Sequence, residues 1–143
     1  MKQIFLSKTT ALFFLLWFVS LPADAQRGTF KKAEVKVSKK NQRFFYGLAS
    51  FYSDKFHGRM TANGETFKQD KFSAACNVLP LGTWIRVTNL RNGKSVIVKT
   101  TDRLHPRMRR LVDLSRSAAK KLDYIKNGLT RVRVEVINQK THK

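Results

Sequence analysis

Residues 84 to 100, WIRVTNLRNGKSVIVKT, place two alternating apolar runs on either side of Asn92-Gly93. That dipeptide is the strongest short-range signal for a β-hairpin, because both residues accept the positive φ of a tight turn. Ile85 and Val87 then share one face of the first strand, and Val96 and Val98 one face of the second. TRVRVEVI, residues 130 to 137, predicts another half-buried strand, with Val132, Val134 and Val136 inward and Arg131, Arg133 and Glu135 outward. FFYGLASFY, residues 44 to 52, predicts a strand in which Gly47 marks a bend or the close approach of another backbone. Only SRSAAKKL, residues 115 to 122, predicts a helix, with Ser115 as its N-cap. Several short strands and one helix between Phe44 and Ile137 predict an all-β fold, a small closed barrel.

The flanking sequence predicts export. Lys2 and Lys8 precede an apolar run from Ala11 to Leu21, followed by Ala23-Asp24-Ala25, so residues 1–25 have the parts of a secretory signal cut after Ala25. The apolar run is far shorter than the roughly 20 residues needed to span a bilayer. A lipoprotein would carry its cysteine at the cleavage site, and the only cysteine is Cys76. Residues 26–43 hold seven Lys/Arg against one Glu and predict a flexible basic linker; residues 138–143, with His142, predict a solvated tail. The whole chain has a net charge of +20. Loss of the leader removes Lys2, Lys8 and Asp24 and leaves a polycation that seeks polyanions. Outside the cytoplasm these are anionic wall polymers, lipopolysaccharide and phospholipid head groups, not nucleic acid. A lone cysteine forms no disulfide within its chain, no metal or cofactor signature is visible, and a monomer is expected in the periplasm or outside the cell.

GLASFYSDKFHGRMTANGETF, AACNVLPLGTWIRVTNLRNGKSVIV, TDR and RRLVDLSRSAAKKL follow one another in the order and spacing of the rare lipoprotein A family, which the stretch Tyr46–Ile137 resembles. The resemblance implies a six-stranded double-psi β-barrel with one or two short helices. It also implies an endolytic peptidoglycan lytic transglycosylase working in cell-wall remodelling or division, beside division or other cell-wall proteins, with no cofactor. Such an enzyme cleaves the bond from N-acetylmuramic acid to N-acetylglucosamine without water. The muramic acid's own C6 hydroxyl attacks, and a 1,6-anhydro end results. One carboxyl group can serve as acid and then as base, unlike the carboxylate pair of ordinary glycosidases.

Eight carboxylates follow the leader. Glu34 falls in the linker, Asp54, Glu65 and Asp70 in turn-like segments, Asp123 at the helix end and Glu135 on the charged strand face. Asp102 and Asp113 remain. Asp102 ends the apolar strand SVIVKTT, a rigid element that can aim a side chain at a groove. Asp113 stands before the helix, where with Ser115 a structural role is expected. The resemblance points to Asp102 as acid and base, and Tyr52, Thr61, Asn63, Arg103 and His105 are the candidate substrate contacts. Arg103, Arg107, Arg109 and Arg110 suit the carboxylates of muramic acid or its stem peptide, and the glycan strands expected are peptide-poor. Phe51, Tyr52, Phe56, Phe67 and Trp84 are candidates to stack on sugars, with the core as their default place. His57, in FHGR, matches the family too, against a plain role in its loop.

Two positions depart from the family pattern. Leu104-His105 replaces a Gly-Pro pair after Asp102-Arg103, and Cys76 stands where the family has a histidine that partners the aspartate. A cysteine fits the space but cannot become a cation or hold a sugar oxygen as an imidazole does. Cys76 is therefore a catalytic candidate by position only. It is a buried apolar residue, or a groove residue whose role is weakened or passed to His105, or the mark of a non-catalytic basic barrel that binds cell wall.

Overall fold

The computed structural model describes residues 34–37 and 43–137. The expected leader, most of the basic linker and the tail with His142 lie outside the described residues. Seven strands appear: β1 (Glu34–Val37), β2 (Arg43–Phe51), β3 (Ser73–Cys76), β4 (Trp84–Asn89), β5 (Ser95–Asp102), β6 (Val112–Leu114) and β7 (Thr130–Val136), with helix α1 at Arg116–Lys121. Six of them run in the order β2-β6-β3-β5-β4-β7, and β7 returns to β2, so the sheet closes. The β2–β6 and β3–β5 pairs are parallel and the others antiparallel. The six-stranded all-β barrel expected from the sequence is what forms. β1 is an addition, because it brings regular structure into residues 26–43, where the sequence showed no pattern. β6 covers only Ala49–Phe51 of β2, which leaves the first half of that edge open, and β1 pairs there from Glu34↔Tyr46 to Val37↔Arg43.

Alternation builds the core. Ile85, Val87, Val96, Val98, Val132 and Val134 all point inward and are at most 4% exposed. Burying side chains of this size stabilises by about 1.5–3 kcal/mol each. Helix α1 buries Ala118 and Ala119, and the following Leu122 and Tyr124 join the same core. Ser115 stands in extended conformation at the N-cap, and its Oγ accepts the Ala118 N–H at 3.4 Å.

Two expectations change. The β4–β5 pairing ends at Thr88↔Ser95, so Asn92-Gly93 lies inside a longer loop and is not a two-residue turn. Gly93 has φ +74° and donates its N–H to the Asn89 carbonyl, while the Asn92 amide donates to the Leu122 carbonyl and ties the loop to the helix end. Glu135 points to the outer face yet is only 6% exposed, because Arg86 on the neighbouring strand lies against it as an ion pair.

Gly47 is where another chain segment comes close. A Cβ built there would stand 2.7 Å from Leu111 Cβ, and the Leu111 N–H donates to the Leu48 carbonyl at 2.8 Å. Gly47→Ala is therefore expected to destabilise the barrel by about 1–3 kcal/mol through overpacking. Urea denaturation of the purified variant measures this, and an unchanged midpoint would contradict the close approach.

Candidate active site

Asp102 reaches its place through a β-bulge. Along β3 and β5, Ala74 pairs with Thr100 but Ala75 pairs with Asp102, so Thr101 is the extra residue. A one-residue slip exchanges the two faces of a strand, and the bulge thus turns Asp102 to the face it occupies. Ala75 pairs with Asp113 on its other side, and Asp113 with Ser50. Asp102, Ala75, Asp113 and Ser50 form one row across β5, β3, β6 and β2. The two carboxylates are carried two strand spacings apart, about 9.5 Å between backbones, with a methyl group between them.

Three donors hold the Asp102 carboxylate. Oδ1 accepts the backbone N–H groups of Ala62 at 3.0 Å and Arg103 at 2.8 Å, and Oδ2 accepts the Tyr52 hydroxyl at 2.9 Å. A carboxylate has about four lone-pair sites, so the one left open is on Oδ2. Tyr52 lies just past β2, and its side chain spans the row to reach β5. Phe67 packs against its ring at 4.4 Å and Phe56 at 5.7 Å. Burial first, then the negative charges of Asp102 and Asp113, push the Tyr52 phenol far above its ordinary pKa. It stays a neutral donor through any working pH.

Asp113 is a brace. Its Oδ1 accepts from Ser50 Oγ and from Arg110 Nε at 2.9 Å, and its Oδ2 from Arg110 Nη2 at 3.0 Å. The side chain is 14% exposed under the guanidinium. Helix capping falls to Ser115 alone.

The expected substrate contacts divide. Thr61 and Asn63 build the turn that carries Ala62: Thr61 Oγ1 lies 2.6 Å from Asn63 Oδ1, which also accepts the Glu65 N–H, and the Asn63 N–H donates to the Thr101 carbonyl. Thr61 is buried, so its side chain is not a groove surface. Arg103 stays exposed, while its Nη1 donates to the carbonyls of Cys76 and Leu79 and clamps the turn after β3. His105 is exposed on the next loop, where its Nδ1 accepts the Arg107 N–H at 3.3 Å. His57 is exposed too, and its Nδ1 accepts the Gln69 N–H. Of the five aromatic candidates, Phe51 packs on Tyr124 at 6.0 Å beside the core, and Phe67 is buried. Trp84 is outward on β4, away from the row.

Cys76 is fully buried in the core cluster. Burial raises its thiol pKa, against the smaller opposing effects of the Val78 and Leu79 N–H groups and the Arg103 charge. A thiol held protonated in the core is a poor nucleophile. It meets the site only through its carbonyl, which Arg103 holds. The second departure belongs to the same unit, because the side chain of Asn77, next to Cys76, binds both backbone groups of Leu104 at 2.9 and 3.0 Å. Among the described residues no three His, Cys, Asp or Glu side chains converge as metal ligands.

What the sequence alone did not show is the donor set. The bulge, the Ala62 N–H and the hydroxyl of Tyr52 all depend on register and long-range contact. The aromatic-rich SFY stretch marked Tyr52 as a ring, not as a donor.

Residues 45–134 match the family model described as lytic transglycolase. The chain belongs to this family. The resemblance to rare lipoprotein A proteins is thereby borne out by the curated relatives. The endolytic peptidoglycan transglycosylase RlpA of Pseudomonas aeruginosa is 53% identical over 92 residues, which is 64% of this chain and 27% of that protein. Its namesake in Neisseria meningitidis serogroup B is 41% identical over 120 residues, 82% of this chain and 50% of that one. The chain thus spans half or less of these two relatives. Among solved structures, Streptomyces papain inhibitor aligns with TM-score 0.55 and 18% identity over 73% of this chain and all of that one. An apo expansin of Clavibacter michiganensis gives TM-score 0.54 and 22% identity over 67% and 51%. These two likenesses concern the barrel fold alone.

Proposed function

We propose that this barrel is an endolytic peptidoglycan lytic transglycosylase, a lyase that leaves 1,6-anhydro-muramic ends on peptide-poor glycan strands. The observation that carries this is the Asp102 carboxylate, held by three donors with one lone pair of Oδ2 open. In this reading Oδ2 carries the proton that passes to the glycosidic oxygen as that bond breaks. It then takes the proton of the C6 hydroxyl as the hydroxyl oxygen bonds to C1. One proton goes out, one returns, and no water is consumed, so one carboxyl suffices. The neutral Tyr52 hydroxyl and the two backbone N–H groups fix the carboxyl rotamer through both steps, which is the positioning that such catalysis rewards. Arg107 and Arg109, exposed on the loop after Asp102, offer guanidinium groups to the lactyl carboxylate of a stripped muramic acid.

Export by the leader would place the protein in the periplasm or outside the cell, beside division or other cell-wall proteins and working as a monomer. Incubating purified protein with peptidoglycan sacculi and searching the soluble products by mass spectrometry for 1,6-anhydro ends tests the reading. Binding to sacculi without such products favours the second reading, a non-catalytic wall-binding barrel, for which the burial of Cys76 at the family's histidine position speaks. Within the enzyme reading, Tyr52→Phe removes one donor to the carboxylate while keeping the ring. The release rate of anhydro products is expected to fall about tenfold, in line with the loss of one charge-assisted hydrogen bond. A rate equal to the parent's would mean that the hydroxyl positions nothing.

A further inference from the structure

In the closed order β2-β6-β3-β5-β4-β7, strand β7 lies three places from β3 in either direction. The row of Asp102 and Asp113 is centred on β3, so the outer face centred on β7 looks the opposite way. Its outward residues are basic and aromatic. Tyr46 pairs with Arg133, Leu48 with Arg131 and Phe44 with Glu135, while β1 adds Lys36 beside Phe44. Glu135 is taken by Arg86. Lys36, Arg131 and Arg133 form no salt bridge among the described residues, and Glu34 is the one carboxylate on this face similarly free.

The rings hold the cations in place. Arg133 lies over Phe44 at 5.4 Å and Lys36 over Tyr46 at 5.5 Å, and Arg133 Nε is buried with no hydrogen-bond partner. Such stacking orients a cation at little entropic cost while leaving its charge outward. A ring covered by a cation is poorly placed to enter a bilayer, so the chemistry offered is anion recognition. The chain's own basic segment, with seven Lys/Arg in residues 26–43, and a second copy of this polycation are both like-charged and unsuited to the face.

We propose that the β2–β7–β4 face is a second, non-catalytic docking surface for intact peptidoglycan, which it recognises through the free carboxylates of the stem peptides. One side of the barrel then holds the peptide-bearing wall while the other works on bare glycan. This rests on the reading that wall glycan is the substrate, but its test needs no turnover.

The probe is insoluble intact sacculi, used with the full chain silenced by Asp102→Asn, in co-sedimentation across a range of NaCl concentrations. In that background Lys36→Glu with Arg131→Glu, both at exposed positions, is expected to weaken binding roughly tenfold to a hundredfold and to flatten its salt dependence. Arg131→Lys should bind like its parent. Sacculi whose carboxylates have been amidated should bind the parent as weakly as intact sacculi bind the double variant. With Asp102 restored, the double variant should cleave short stripped glycan as the wild type does. If wild type cleaves nothing and the binding loss still appears, the enzyme reading fails and the docking face stands. Unchanged binding of the double variant to intact sacculi overturns the proposal. So does preferential binding to phosphatidylglycerol vesicles, or an equal loss of cleavage on short stripped glycan.

Discussion

Asp102→Asn is expected to lower the formation of 1,6-anhydro ends by about a hundredfold to ten-thousandfold, the usual contribution of a positioned acid–base group, and to leave the barrel folded. The asparagine keeps a carbonyl oxygen where Oδ1 stood, so the Ala62 and Arg103 N–H groups retain their acceptor. Its amide replaces Oδ2 and can donate to the Tyr52 oxygen, because a hydroxyl rotor accepts as readily as it donates. Local geometry therefore survives while the proton carrier is gone. Asp113→Asn makes the contrast. It breaks a two-bond ion pair with Arg110 at a side chain only 14% exposed, so its main effect should be on thermal stability. Turnover on sacculi and thermal unfolding, measured for both variants, separate the roles. An Asp102→Asn variant that still works within tenfold of the parent would remove this residue from the chemistry.

That contrast also shows how far the chain's own pattern reaches. The barrel was legible because its strands alternate, and alternation follows from burying one face of a closed sheet. Ser115 was legible as a cap for a similar local reason: a hydroxyl before an Ala-rich turn has N–H groups to satisfy. The length of the β4–β5 loop was not, since Asn92 is drawn to the helix end by a contact 30 residues away. Burial of Glu135 was not legible either, because alternation assigns a face while the partner Arg86 sits on another strand. At the site, the candidate carboxylates could be narrowed from composition and position, but their surroundings could not be read. A bulge leaves no dependable mark in sequence, and here one residue's offset decides whether Asp102 joins the row with Ala75 and Asp113. Arg103 illustrates the same limit. Beside a candidate acid it suggests a substrate contact, and the sequence did not show that its Nη1 also ties together the carbonyls of the turn after β3.

Cys76→His is expected to lower the melting temperature by roughly 10 °C or more and to bring no gain in activity. The thiol is fully enclosed in the core. An imidazole adds four heavy atoms and two polar nitrogens to a filled space, and overpacking costs about 1–3 kcal/mol. Each nitrogen left without a partner costs a further 1–3 kcal/mol or so. In a domain of this size each kcal/mol moves the midpoint by about 4–8 °C. The backbone cannot easily give way to let the ring out, because Arg103 holds the Cys76 and Leu79 carbonyls and Asn77 holds both backbone groups of Leu104. The two departures from the family pattern thus lie in one interlocked turn, and restoring only one of them strains it. Cys76→Ala, which keeps the turn and removes only the sulfur, should destabilise by about 1 kcal/mol and leave turnover on sacculi near that of the parent. Thermal scans beside product release decide the matter. If Cys76→His kept its melting temperature and raised the rate tenfold, the imidazole would have found the groove. Position 76 would then belong to the site, and the chain's present catalysis would be impaired by its cysteine rather than indifferent to it.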